Sequence, residues 1–233
     1  MYSRYYEEHK EDRNDVLGNP EVAFQLFAFD RANIRALQRI QLDRKLARVL
    51  DVGCGGGSSL VNLLRLGFPQ NQMSGVDISP ERIAEARSTL PLADFRCETA
   101  DAMSHADGTF DLVTESTMFV LMPDDELAGR IAKEMIRVTK PGGYIMLVDW
   151  RYSKPGSTVY KAMTPSRIAS LFDVGGSTSV IARERGALVP PVGRRLSRYL
   201  PSLYFLVQAL MPPLVGQVTT VLQKKTSQKS QEA

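Results

Sequence analysis

Asp51 stands in the run Val-Leu-Asp-Val (49–52), directly before Gly53-Cys54-Gly55-Gly56-Gly57. Glycines let a backbone turn at positive φ and come close to a ligand. An apolar stretch at helical spacing, Leu60-Val61-Asn62-Leu63-Leu64, follows. The segment therefore reads as strand, tight turn and helix, with the free N–H groups of the helix start offered to a polar or anionic ligand group. The dinucleotide pattern Gly-x-Gly-x-x-Gly is met at Gly53 and Gly55, but Ser58 stands at the last position. A carboxylate two residues before the first glycine repels a pyrophosphate and suits a cationic group such as an amino-acid ammonium. Asp77, about twenty residues beyond the turn, suits ribose hydroxyls.

The surrounding elements alternate. Pro20 opens a helix whose apolar residues continue to about Leu46. Met73–Asp77 reads as a second strand, and Ser79-Pro80 caps and starts the next helix. Ala93–Cys97 is a third strand, followed by Glu98-Thr-Ala-Asp101-Ala102. Phe110–Glu115 is a fourth, Asp124–Thr139 an amphipathic helix, and Tyr144–Asp149 a fifth strand, apolar on both faces as a buried parallel strand requires. A short helix at Ser166–Asp173 and strands at Ser177–Arg183 and Gln217–Leu222 complete the pattern. Alternation of this kind predicts an α/β fold: a Rossmann-like, seven-stranded, mostly parallel sheet with helices on both faces, the last strand antiparallel, and a helical insert before it. Ligands bind such sheets at the carboxyl ends of the strands. Asp51, Asp77, Asp101, Glu115 and Asp149 all fall there, which points to a shared polar site.

The expected organisation is an N-terminal lid and helix over 1–46, the main domain over 47–222 with its insert at 190–216, and a disordered tail over 223–233. Of the 233 residues, 43% are hydrophobic and 24% charged, an ordinary balance for a globular domain. The net charge of +3 is too small to imply nucleic acid. It is unevenly placed, since eight Lys/Arg against two Glu follow Arg183, counting Arg183 itself. Cys54 and Cys97 form neither a disulfide framework nor a zinc spacing, so no metal is expected. Cys54 reads as a small filler within the turn. A polar amino terminus without an apolar leader core fits a reducing, cytoplasmic compartment.

Val-Leu-Asp-Val-Gly-Cys-Gly-Gly-Gly resembles the first motif of class I S-adenosylmethionine-dependent methyltransferases (methyltransferase domain 11-like). Gly75-Val-Asp77-Ile-Ser-Pro resembles the strand carrying that family's ribose-binding acid, and Glu98-Thr-Ala-Asp101-Ala its adenine-contacting segment. Phe110-Asp-Leu-Val and Arg137-Val-Thr-Lys-Pro-Gly-Gly resemble the later motifs. The resemblance covers about residues 47–150. It implies S-adenosylmethionine as cofactor and S-adenosylhomocysteine as product. Asp51 and the backbone of Gly53, Cys54 and Gly55 would hold the methionine part, and Asp77 the ribose. Ile78 would pack on the adenine, Asp101 would bond its amino group, and Ala102 would add a backbone contact.

The methyl acceptor is less legible. Glu115 lies at the mouth, as a base or a cofactor contact, while Val120 and Leu121 occupy the region where the family often carries a histidine. Asp149 is the other candidate base, with a salt bridge to Arg151 or a helix cap as its structural alternative. Trp150 and Arg151 follow the fifth strand, where related enzymes often place substrate-facing groups, with a core or lid role as the alternative for Trp150. Tyr5 and Tyr6 sit in a segment that either closes over the site or simply packs onto the domain. His9 and His105 read as structural. The first expectation is O-methylation of a small-molecule or glycan-type acceptor. The alternatives are C-methylation of a quinone-like or lipid-linked aromatic ring, and a cofactor-binding scaffold without activity. Tyr199–Gln223 carries no charge and follows Arg194, Arg195 and Arg198. It is too interrupted by Pro201 and Pro212-Pro213 to span a bilayer. Segment 194–216 serves either as a cap or homodimer contact, or as an interfacial helix on a membrane.

Overall fold

The computed structural model describes residues 18–226. Helix α1 (Pro20–Gln38) precedes strand β1 (Val49–Val52), and α2 (Ser58–Arg65) precedes β2 (Met73–Asp77). Helix α3 (Pro80–Thr89) leads to β3 (Asp94–Cys97) and β4 (Phe110–Ser116). Helix α4 (Asp125–Val138) and β5 (Thr139–Trp150) come next, then α5 (Pro165–Leu171) and β6 (Thr178–Arg185). The insert holds α6 (Pro190–Tyr199) and α7 (Tyr204–Leu210), and β7 (Gln217–Lys224) closes the sheet. The strand order is β3-β2-β1-β4-β5-β7-β6. β1 is parallel to β2 and β4, and β4 to β5, while β7 is antiparallel to both its neighbours. This is the mostly parallel seven-stranded sheet that the alternation predicts.

Side-chain alternation along β1 divides the core. Val49 joins Leu60, Leu63, Ile83 and Phe95 on one face of the sheet. Leu50 and Val52 join Val113, Ile131, Met135 and Ile145 on the other. A third cluster links α1 to the insert through Ala28, Leu188, Tyr204 and Val215. Helix α1 presents Ala28, Ala32 and Ala36, all fully buried, at successive four-residue steps. The narrow stripe lets the helix lie close to the sheet, where Thr219 Oγ1 donates to Asn33 Oδ1 at 2.8 Å.

Two boundaries differ from the sequence expectation. Helix α1 stops at Gln38 rather than near Leu46. Beyond it, Asp43 accepts from Lys45 N through its carboxylate and from Leu46 N and Ala47 N through its carbonyl. A short polar side chain that bonds its own backbone competes with helix continuation, although the apolar spacing runs on. At the other end β7 extends through Lys224, so Gln223 and Lys224 belong to the sheet and not to a tail. Lys224 Nζ donates to Thr139 O at 2.8 Å. The rest of the expected tail from residue 227 lies outside the described residues.

Helix α3 shows the expected cap: Ser79 Oγ accepts from Arg82 N at 3.3 Å, with Pro80 in the first turn. The packing beneath the glycine turn is tight. A Cβ on Gly75 would stand 2.7 Å from the Phe95 ring and 2.8 Å from Cys54 Sγ. Neither neighbour can swing away inside the core, so Gly75→Ala should cost about 1–3 kcal/mol, measured as a lowered midpoint in thermal or urea denaturation. An unchanged midpoint would contradict this packing.

Candidate active site

The carboxyl edge of β1, β2, β4 and β5 gathers most of the acids that the sequence singled out. The turn after β1 is pinned to β2. Gly53 N and Cys54 N both donate to Val76 O, at 2.9 and 3.0 Å. Gly55 N donates to Asp77 Oδ2 at 2.9 Å, and Ser79 N to Asp77 Oδ1 at the same distance. Gly53 and Gly55 have φ of +71° and +51°, values that favour glycine. Asp77 thus braces the turn with one bond to each oxygen and stays half-buried, with lone pairs left for a ligand diol. Ile78, beside it, is 74% exposed, unusual for so apolar a side chain at a strand end.

Asp51 is 1% exposed, and its Oδ1 has no hydrogen-bond partner among the described residues. Burial, reinforced by the charge of Asp77, pushes its carboxyl up to about 8. An orphaned acid at the base of a glycine turn is a cation receptor in waiting: a ligand ammonium would supply the missing donor and drive the acid to its charged form. Cys54 is buried, and burial together with the charges of Asp51 and Asp77 raises its thiol well above the ordinary range. It is therefore a neutral filler with no nucleophilic character.

Glu115 and Asp149 are buried deeper than a surface base would be. Glu115 Oε1 accepts from Val148 N at 3.1 Å and Oε2 from Met118 N at 3.0 Å. Asp149 Oδ2 accepts from Val120 N at 2.8 Å and Oδ1 from Trp150 N at 2.7 Å. The bridge to Arg151 weighed for Asp149 does not form, whereas the acid does bond the start of a helix, since Val120 lies in the short 3-10 turn Phe119–Leu121. Burial raises both carboxyls, with Asp149 then Asp51 adding at Glu115, and Asp149 reaching about 7. The two acids fold the segment after β4 onto β5. Thr117, with φ of +63°, lies within that segment, and its N donates to Val148 O. The result carries Met118 over the glycine turn, its Sδ 2.9 Å from where a Cβ on Gly53 would stand. Met118 was not legible in the sequence, because its place depends on a left-handed Thr117 that no local motif marks.

Asp101 accepts from Thr99 Oγ1 and, at 3.1 Å, from Arg130 Nε. These bonds hold its carboxyl below the usual range. Ala102 is exposed, and its N–H donates to Thr99 O at 3.3 Å. Trp150 packs edge-on against Phe29, with ring centroids 6.0 Å apart, and joins the cluster under the insert. Arg151 Nη2 donates to Pro212 O at 2.6 Å, tying the segment after β5 to the insert. Tyr5, Tyr6 and His9 lie outside the described residues. His105 meets Phe110 edge-to-face, with ring centroids 5.0 Å apart, at the opposite edge of the sheet. Among the described residues no group of His, Cys, Asp or Glu is arranged to hold a metal ion. A groove of about 590 Å³ between α4 and α5 holds Lys161 and Arg167, but both pair with Asp125, and no strand-end acid lines it.

Asp51 has a direct consequence for stability. Its proton is bound more tightly in the native state than in the unfolded chain, so its contribution is complete below pH 4 and is lost as pH rises towards 8. Asp51→Asn removes that titration. Thermal denaturation should show the variant gaining on the parent by up to about 1.4 kcal/mol per pH unit between pH 4 and 8. A difference independent of pH would show that Asp51 is not held neutral.

Comparisons with known proteins bear on the domain and its fold. A family model described as a methyltransferase domain matches residues 49–143, from the start of β1 into β5. A 2-methyl-6-phytyl-1,4-hydroquinone methyltransferase of Synechocystis sp. is 41% identical over 106 residues, 44% of this chain and 31% of that protein. A ubiquinone biosynthesis O-methyltransferase of Xanthomonas oryzae pv. oryzae is 36% identical over 112 residues, 46% of this chain and 44% of that protein. The chain thus spans less than half the length of these curated relatives. The crystal structure of the [4+2]-cyclase SpnF superposes with a TM-score of 0.67 at 19% identity, covering 97% of this chain and 96% of that one. That likeness shows the fold alone. The matched domain, the strand order and the acids at or near the ends of β1, β2, β4 and β5 make residues 49–143 the core of a methyltransferase domain of the class I S-adenosylmethionine-dependent type.

Proposed function

We propose that the protein transfers the methyl group of S-adenosylmethionine to a hydroxylated aromatic ring of the hydroquinone type, on oxygen. The observation that carries the cofactor side is the orphaned Asp51 Oδ1 beneath a left-handed glycine turn. The donor set fits the cofactor piece by piece. Asp51 offers a buried anion for the ammonium, Asp77 two half-satisfied oxygens for the ribose diol, and Ile78 an exposed apolar face for the adenine. Asp101 and Ala102 stand further along the same edge, where the family places the adenine. When bound, S-adenosylmethionine supplies an already activated sulfonium methyl, so the chain's own task is largely to hold donor and acceptor in line and to exclude water.

The commitment of Glu115 and Asp149 to backbone amides bears on the acceptor. Each holds two N–H groups, and neither reaches the surface, so they act as positioning residues for the loop that carries Met118. An aliphatic hydroxyl needs a base within hydrogen-bond reach. A phenol, ionising near pH 10 unaided, needs far less help. This favours a phenolic acceptor over a glycan-type hydroxyl, in line with the hydroquinone and ubiquinone chemistry named for the two curated relatives. The same observation keeps a second reading, methylation at a ring carbon activated by a neighbouring phenolate. The test is mass spectrometry of hydroquinones incubated with protein and methyl-labelled cofactor, which separates methoxyl from ring methyl and follows S-adenosylhomocysteine release. Cofactor binding without turnover on any phenolic acceptor would favour the inactive scaffold.

Two substitutions sharpen the assignment. Asp77→Ala removes charge-assisted bonds worth about 1.5–3 kcal/mol each, so calorimetry should show cofactor affinity falling at least tenfold. Asp149→Asn keeps an oxygen for one of its amides. It should lower kcat less than tenfold and leave the pH profile of kcat in place, whereas loss of a general base would cost about 10²–10⁴ and remove a limb of that profile.

A further inference from the structure

The insert is built inside out for a water-exposed element. In α7 the buried positions are Tyr204 and Gln208, one helical turn apart. Gln208 Nε2 reaches inward to Arg185 O and Gly186 O, and the Tyr204 hydroxyl accepts from Leu188 N at 3.1 Å. The opposite face carries Leu206 and Leu210, which are 52% and 71% exposed. Tyr199, Leu200, Leu203 and Met211 are exposed around them, so six large apolar side chains crowd thirteen residues of surface. Scattered apolar residues are ordinary on a protein surface, but a contiguous patch of this kind marks an interaction site.

The charge beside the patch is of one sign. Helix α6 buries Gly193 and Ser197 and turns Arg194, Arg195 and Arg198 outward. No acidic residue occurs between Glu184 and Glu232. The Arg198 guanidinium lies 5.5 Å over the Tyr199 ring, a charged head beside an amphipathic aromatic. A row of arginines above an apolar face with a tyrosine at the border has the chemistry of an element lying in a membrane interface. A protein partner would need an acid for each arginine, whereas an anionic bilayer supplies both the acyl boundary and the headgroup charge. No described helix is long and apolar enough to cross a membrane, so the contact would be a surface one.

We infer that α6 and α7 form an interfacial docking surface for anionic lipid bilayers. The insert is fastened to the site's rim: Arg151 donates to Pro212 O, and the Tyr152 hydroxyl donates to Pro213 O at 2.8 Å. Docking therefore holds the carboxyl edge of the sheet close to the bilayer, where an apolar aromatic acceptor partitions. The membrane contact itself does not rest on the identity of the acceptor or on methyl transfer, so the two can fail separately.

The test uses the full chain and vesicles of equal parts phosphatidylcholine and phosphatidylglycerol, without cofactor, at low and high salt. The protein should sediment with these vesicles at low salt and much less with phosphatidylcholine alone. Each of Arg194→Ser, Arg195→Ser and Arg198→Ser should weaken binding about fivefold at low salt, and the effect should shrink at high salt. Leu206→Ser with Leu210→Ser should abolish sedimentation while leaving the thermal midpoint and cofactor affinity in place, since neither side chain is buried. Absence of binding at low salt, or binding indifferent to both sets of substitutions, would overturn the inference. So would a lipid-free dimer that dissociates on Leu206→Ser with Leu210→Ser and ignores vesicles, because the patch would then belong to a second copy.

Discussion

The turn from β1 into α2 is pinned to β2 by three consecutive amides, and the site depends on that attachment. Val76 O takes the N–H groups of Gly53 and Cys54, and Asp77 takes that of Gly55. With the loop fastened from below, the backbone cannot sag over Asp51. The side chain at the end of β1 is therefore left facing a ligand space, without a donor of its own. An unpaired buried carboxyl costs free energy, and it persists because the flanking strands, packed from both faces, leave no room for relaxation. The same rigidity that makes the acid uncomfortable makes it selective for a cationic group.

The acids at the strand ends share a location but not a task. Asp51 is buried with one oxygen unpartnered among the described residues, Asp77 braces the turn and keeps lone pairs outward, and Asp101 is anchored by Thr99 and Arg130. Glu115 and Asp149 turn inward and hold backbone. Their common edge follows from parallel sheet geometry, which collects the carboxyl ends of β1, β2, β4 and β5 in one place. Their different roles follow from depth. A carboxylate at the half-buried rim can exchange partners with solvent or ligand, whereas one below it must satisfy its oxygens from nearby amides.

The sheet was legible in the sequence because its signals are local: apolar runs of strand length, the Ser79-Pro80 helix start, and glycines where the chain reverses. The glycine turn and its acid were legible for the same reason. The end of α1 was not, since the apolar periodicity runs on past Gln38 into a segment where Asp43 bonds its own following backbone in place of a helical turn. The inward commitment of Glu115 and Asp149 was not either, because it requires knowing which amides the folded loop leaves unpaired. Met118 and the Arg151–insert tie depend on contacts between segments far apart in the chain. Even the polarity of α7 reads wrongly from sequence alone: a glutamine would be assigned to solvent and the leucines to the core, and the reverse holds.

The antiparallel return of β7 has a further consequence. The insert leaves the sheet after β6 and re-enters at β7, and its two ends meet: Gly186 N donates to Gln217 O at 3.0 Å, and Ala187 N to Gln217 Oε1 at 3.2 Å. The sheet therefore closes this loop by itself, whatever lies between. Lengthening a loop whose ends are already joined costs little additional entropy. The segment is thus a replaceable cassette, free to change surface chemistry while the strands behind the glycine turn keep their register.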